Sequence, residues 1–407
     1  LGPPLQSTFR PQEALTARVL RGAVNAVRAF APQLVVHGGD LIDNVQDNEL
    51  TQALALLVGG RVRPGSGPDG YYGVQSAVDS DPLYYRPDID APRYPGMLEA
   101  AVAPFHSPGL HVDWVPVLGD HDALVAGELV PSALTQSLAV GDRALWNLPP
   151  DLKLPAGFEL SPSGSPDGPP DPAYVTSFLE QALAGPTVQV PRDPNRYELS
   201  FAEVIGRLWA GSGAAAQPGL SAVVPAATGR IDYVRDLSDS LRLIVLDIVR
   251  RDGGSGGLIA DGQPEWLAQQ LTGAGERWVI VVSHQPLPHA AGGEQVLALL
   301  DRSPRVIAAL SGHTHRNRIA ARPTEAGGYW LISTASLIDY PQQARALRLV
   351  STAGGGVALQ TWMLDHAGAG RLGRFSRELS YLDAPGGQSM GFAGRHLDRN
   401  ATLYRRA

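Results

Sequence analysis

Four apolar runs in this chain each end on a tight group of glycine, aspartate or histidine, and this pattern limits the possible fold more than any other feature. Residues 33–37 (QLVVH) lead into Gly38-Gly39-Asp40, followed by Leu41-Ile42-Asp43-Asn44. Residues 111–118 (HVDWVPVL) lead into Gly119-Asp120-His121-Asp122. Residues 277–283 (RWVIVVS) end at His284, and residues 305–311 (RVIAALS) end at Gly312-His313-Thr314-His315. Runs this short and this rich in β-branched residues read as buried strands. Each therefore delivers a polar group to the point where a strand meets a loop.

The segments between the strands supply helices. Residues 11–30 carry an apolar face of Leu15, Val19, Leu20, Ala23, Val24 and Val27, with Pro11 suited to the first turn. Residues 48–58, 263–271 and 295–302 also read as helical. Further strands are expected at 241–247, 329–334 and 345–350. Strands alternating with helices predict an α/β core, and such sheets place ligands at the C-terminal ends of their strands. Residues 60–110 and 147–196 are rich in Gly and Pro and show little periodicity. They read as insertions or cover, long for a compact domain. Tyr71, Tyr72, Tyr84, Tyr85 and Tyr94 in the first insertion read as packing against the core, with an aromatic wall for a nucleoside or lipid as the alternative.

Composition excludes several classes. With 407 residues and 44% hydrophobic content, the chain can bury a substantial core. The net charge is −7 and no basic block stands out, which disfavours a general nucleic-acid binder. There is no cysteine, so disulfides, thiolate metal sites and a cysteine nucleophile are excluded. No apolar run is long enough to span a membrane.

Hard carboxylates grouped with imidazoles form the ligand set of first-row divalent metals such as Mn, Fe or Zn, and the adjacent glycines let backbone and side chains crowd around an ion. Any one cluster alone reads as a cap or turn. The four together, in this order, resemble the calcineurin-like metallophosphoesterases, whose signature is D-x-H, GD-x-x-D, GNH-D/E, a lone His after a strand, and GH-x-H. Four of the five blocks are present. The stretches FRPQEALT, GDLIDNVQDNEL and STASLIDYPQQAR are similar to a long-insert bacterial branch of that family.

The resemblance implies a central β-sandwich flanked by helices, a four-layer αββα arrangement, over a single domain of residues 1–407. Insertions are expected at about 60–110 and 123–240, and a tail at 363–407. It implies two metal ions, Mn, Fe or Zn. Asp40 would bridge them, Asp120, His284 and His313 would complete one site, and His315 would belong to the other. Asp43 and Asn44 would stand behind these ligands. His121 would protonate the leaving oxygen, with Asp122 orienting its ring. The substrate would be a small phosphomonoester or phosphodiester. Nucleic acid is not an expected partner, and a twin-arginine export signal upstream is an expectation of the branch.

Two features depart from the family pattern. The D-x-H block is missing, so the chain is expected to be N-terminally incomplete, with the His315 metal site short of ligands. Asp120 stands where Asn is usual, which adds a negative charge at the metal. Two other readings follow. One is an impaired family member that binds a ligand or partner. The other is a nuclease of the same family. The remaining histidines, His37, His106, His111, His289, His366 and His396, show no ligand pattern. Arg250, Arg251 and the glycine run at 253–257 read as a solvated hairpin.

Overall fold

The structure is a computed structural model that describes residues 10–78, 84–145, 149–153, 168–169, 171–223, 229–366, 370–383 and 391–406. Phe9 and most of residues 147–170 lie outside the described residues.

The fold is mixed α/β, built on a seven-stranded sheet. Four of its strands are parallel neighbours: Leu241–Val245, Trp278–Val282, Val306–Ser311 and Tyr329–Ser333. Arg318–Arg322 flanks them antiparallel on one side. Tyr233–Ser238 does so on the other, and Leu220–Ser221 pairs antiparallel with it beyond. Smaller sheets accompany it among the described residues. Val35–His37 pairs in parallel with Trp114–Pro116, and Gln343–Ser351, Val357–Asp365 and Ala401–Arg405 form an antiparallel trio.

The alternation of side chains along a strand explains why the apolar runs are nearly continuous. In Trp278–Val282, Ile280 and Val282 face one core cluster, shared with Val115 and Val117, with Leu359 and with Leu403. Val279 and Val281 face a second cluster, which contains Leu267 of helix Gln263–Thr272 and Val296, Leu297 and Leu300 of helix Gly293–Asp301. Both faces of the strand are buried, so polar residues can appear only at its ends.

The N-terminal helix Thr16–Phe30 follows a short 3-10 turn, Glu13–Leu15. It packs Val24, with Leu20 and Val27, onto Trp114 and Leu57 beside Val35. The first insertion is ordered by its own elements: Gly60–Val62 pairs with Phe105–Ser107, and helix Met97–Val102 lies between them. Tyr94 stacks on Phe375 with ring centroids 3.8 Å apart, and Tyr71 and Tyr85 border the same cluster as Leu15 and Met97. For these three tyrosines the structure shows packing. The second insertion holds helices Ala133–Val140, Pro172–Ala184 and Phe201–Ser212, which the sequence reading did not separate from loop.

Candidate metal centre

The ends of four strands converge. Asp40 follows Val35–His37. Asp120 opens the short helix Asp120–Ala123, after Trp114–Pro116. His284 follows Trp278–Val282, and His313 follows Val306–Ser311. Asp40, Asp120, His284 and His313 each bring one ligand atom into a group whose members lie within 4.8 Å of one another. Asp40, His313 and His315 all take left-handed backbone angles, with φ of 54°, 60° and 54°. Such angles cost about 1–3 kcal/mol each in residues with a side chain, and they are found where a site constrains the chain.

Glycines make the convergence possible. A Cβ at Gly39 would run into the His284 ring, 2.8 Å from its Cγ, and one at Gly119 would overlap the Asp40 carboxylate. A Cβ at Gly127 would stand 2.6 Å from His121 Cδ2 and 2.7 Å from Asp120 Oδ2. These positions therefore let backbone lie directly against the polar side chains.

His284 is 2% exposed. Its Nδ1 lies 2.7 Å from the carbonyl oxygen of Gly38. A carbonyl can only accept, so Nδ1 donates, and in the neutral ring Nε2 carries the lone pair. That Nε2 is buried, 3.0 Å from Asp40 Oδ2 and 3.1 Å from Asp120 Oδ1, and makes no directed hydrogen bond among the described residues. His313 Nδ1 also lies 3.1 Å from Asp120 Oδ1, and Gln285 Nε2 donates to that same oxygen at 3.1 Å. Buried acceptors converging without enough donors are costly unless a cation sits among them. Burial works against charge on His284, yet the Asp40 and Asp120 carboxylates raise its pKa well above the ordinary value. Burial also opposes charge on Asp120, and hydrogen bonds with His284 and His313 hold its pKa well below the usual range. The same field that draws a proton to Nε2 would draw a metal ion, so the residues present fit a divalent cation.

Asp122 does not hold the His121 ring in this structure. Its buried carboxylate accepts from the backbone N–H groups of Gly119 (2.9 Å), Asp40 (2.9 Å), Leu41 (2.7 Å) and Ile42 (3.2 Å). It ties the two loops that carry Asp40 and Asp120. Burial and the neighbouring Asp40 charge push its pKa up to about 7, against the pull of these donors. The expected pairing fails for a geometric reason: neighbours in one helical turn do not face each other. The His121 ring is held by Asp43 instead, with Nδ1 2.9 Å from Asp43 Oδ1 and 3.1 Å from the Asp43 carbonyl. Burial opposes the imidazolium, but the Asp43 hydrogen bond and the charges of Asp40 and Asp43 raise its pKa to about 10. Asn44 donates to Asp43 Oδ2 at 2.7 Å and accepts from Ala126 N at 3.2 Å, pinning the loop that passes over His121.

His315 is not a member of the four-residue group. Its Nδ1 lies 2.6 Å from Oδ2 of Asp339, a residue the sequence reading gave no role although it falls within STASLIDYPQQAR. Asp339 has no adjacent glycine and does not directly end a strand, so no local signal marked it. The glycine run is also not a solvated hairpin. Gly253 and Gly254 are buried, Gly254 N donates to Glu128 O at 2.8 Å, and Ser255 O accepts from Gln285. The run borders the site through Gln285, while Arg251 pairs with Asp247 at 2.5 Å. His37 has its pKa lowered to about 4 by burial, consistent with a packed ring. His106 and His289 are exposed.

No helix among the described residues is long and apolar enough to cross a membrane. No protein-family profile matches the chain, and no curated protein matches it. Among solved structures, a dimetal phosphatase from Danio rerio is similar over 86% of this chain and 86% of its own, at 14% identity and a TM-score of 0.39.

Proposed function

We propose that this chain is a metal-dependent phosphoester hydrolase. The observation that carries the reading is the set of lone pairs from Asp40, Asp120 and His284 that meet in a buried space beside His313, with a charged-capable imidazole, His121, at its rim. Carboxylate and imidazole in this mixture suit Mn, Fe or Zn. The order of the four strand-end clusters, shared with the calcineurin-like pattern, supports the same reading. The shared core between the Val35 and Trp114 strands and the large sheet, with helices on the far side of each, supports a four-layer arrangement.

Divalent ions held there would supply positive charge to a phosphoryl oxygen and to an attacking water. The chain's own residues do the rest. Asp40 and Asp120 fix the position of the charge. Gly38 O sets the His284 tautomer so that Nε2 faces inward. Asp43 takes the Nδ1–H of His121 and so orients the ring, from which a proton on Nε2 would reach a departing alkoxide. Asp122 holds the Asp40 and Asp120 loops in register.

The test is hydrolysis of an alkyl phosphodiester and a nitrophenyl phosphodiester, with Mn²⁺ added, by the wild type and by His121→Ala. We expect a loss of about 10²–10⁴-fold on the alkyl ester, the usual range for a general acid, and a smaller loss on the nitrophenyl ester, whose leaving oxygen needs no proton. Equal losses on both substrates would remove the general-acid role. Failure of the wild type on both, with metal bound, would remove the hydrolase reading and favour a ligand-binding protein.

A further inference from the structure

We infer that Asp339 is the positioning residue of His315, fixing that ring as the Nδ1–H tautomer so that its Nε2 is left as the lone pair available to a cation. The inference rests on the reading of His315 as a metal ligand, but its geometry is independent of that reading.

Asp339 Oδ2 lies 2.6 Å from His315 Nδ1, and Asp339 is fully buried. A buried carboxylate this close to a ring nitrogen accepts its proton in a short charge-assisted bond. A carboxylate partner on one ring nitrogen fixes the tautomer and makes the other nitrogen a better ligand. The carboxylate is itself held. Arg10 Nε lies 2.9 Å from Asp339 Oδ1, an ion pair in which Oδ1 receives no directed hydrogen bond, and the same guanidinium reaches Asp383 at 3.1 Å. The backbone around Asp339 is fixed as well. Its N–H donates to Ser336 Oγ at 3.1 Å, and its carbonyl accepts from Gln342 N at 2.8 Å. Gln12 and Gln342, both fully buried, donate to the carbonyl of Ile338 at 3.0 and 3.3 Å. Arg10 and Gln12 precede the first helix, so the N-terminal segment and the loop after strand Tyr329–Ser333 together hold one ring. His315 takes φ of 54°, and its side chain keeps 30% exposure.

The tautomer is read directly from long-range ¹H–¹⁵N correlation spectra of the histidine rings in metal-free protein, with His315→Asn used for assignment. In the wild type, with the ring neutral, we expect His315 to carry its proton on Nδ1. Asp339→Ala should invert it toward the Nε2–H form that free imidazole side chains prefer. Asp339→Asn should retain Nδ1–H, because an amide oxygen still accepts, while removing the charge. If Asp339→Ala does not fold, the wild-type spectrum still decides: a proton on Nε2 overturns the proposal, as does an unchanged tautomer in folded Asp339→Ala. Calorimetric Mn²⁺ titration forms the second arm. Asp339→Asn should weaken the ion engaged by His315 by about 10- to 100-fold, the usual cost of a carboxylate behind a ligating histidine, with the four-residue cluster unaffected. An Nδ1–H tautomer with equal Mn²⁺ affinities in wild type, Asp339→Asn and His315→Asn would overturn the cation half of the proposal. Absence of any Mn²⁺ binding would instead strike at the hydrolase reading itself.

Discussion

His313 and His315 stand two residues apart in one cluster, yet they face opposite electrostatic surroundings. On the His313 side, Asp120 takes contacts from two imidazoles and one amide, while His284 Nε2 points between two carboxylates with nothing to accept from. On the His315 side, the ring nitrogen meets one carboxylate, and that carboxylate is balanced by Arg10. The first arrangement is incomplete without a proton or a cation. The second already has a cation of the chain, Arg10, which Asp339 shares with Asp383. A shared motif thus produces one place that demands a positive charge and another that offers a single prepared ligand.

The comparison is broken most directly at His284. His284→Ala or His313→Ala should remove the tight metal equivalent, weakening it by at least about 100-fold, since removing a ligand costs more than removing the group behind one. His106→Ala, an exposed change on strand Phe105–Ser107, should leave metal content as it is. Elemental analysis of purified variants decides this, and unchanged metal in both ligand variants would show that the converging lone pairs hold none.

The adjacent glycines sharpen the point. Gly38→Ala and Gly39→Ala differ by one position, but a Cβ at Gly38 meets nothing within 4 Å. At Gly39, with φ of 96°, it collides with the His284 ring. We expect Gly39→Ala to lose about 1–3 kcal/mol of stability from backbone strain and to weaken metal binding, with Gly38→Ala near neutral. Thermal unfolding together with metal titration checks both, and equal behaviour of the two variants would mean that His284 is not held where it is described.

Much of this side was legible from sequence for a physical reason. Strands buried on both faces leave polar residues only at their ends, so Asp40, Asp120, His284 and His313 announced themselves. Tyr233–Ser238 was missed because it carries Arg235 and Asp236 within the strand, and Arg318–Arg322 because it is short, has no buried residue and lies at the sheet's edge. Helix Phe201–Ser212 did have a readable start, Ser200 and Glu203 in a capping box, which a Gly/Pro-rich context obscured. The resemblance implies Asp122 as the partner of His121, whereas the fold brings Asp43 to that ring from another loop. Asp339 could not be found locally at all, because its role depends on where a long loop lands.

A gentler probe is Asp120→Asn. The amide has the same shape and can still accept from Gln285, so the loop should survive. One negative charge is removed from a site where His284 and His313 both lean on that oxygen. We expect metal affinity to fall by about 10-fold, roughly 1.4 kcal/mol of lost attraction, with turnover retained or raised. Tighter binding in a calorimetric titration would contradict the placement of Asp120 against the ion.

The smallest effect is expected behind His315, where Glu13 shares the surroundings of Arg10. Burial, with added repulsion from Asp43 and Asp383, raises its pKa to about 8 from an ordinary value of 4.5, although the Arg10 N–H and charge pull the other way. The folded state therefore keeps a proton that the unfolded chain releases. With the folded value raised, the stability that Glu13 contributes is fully present below about pH 4.5 and is lost as pH rises through about 8. Glu13→Gln cannot ionise, so it should match the wild type in acid and melt higher above pH 8, by a few degrees for a chain of this size. The measurement is Tm against pH on metal-free protein, which leaves the field of the described residues unaltered. A gap that opened toward acid instead would mean that Glu13 is ionised beside Arg10. The His315 side would then carry an extra negative charge and would resemble the His313 side more than the structure shows.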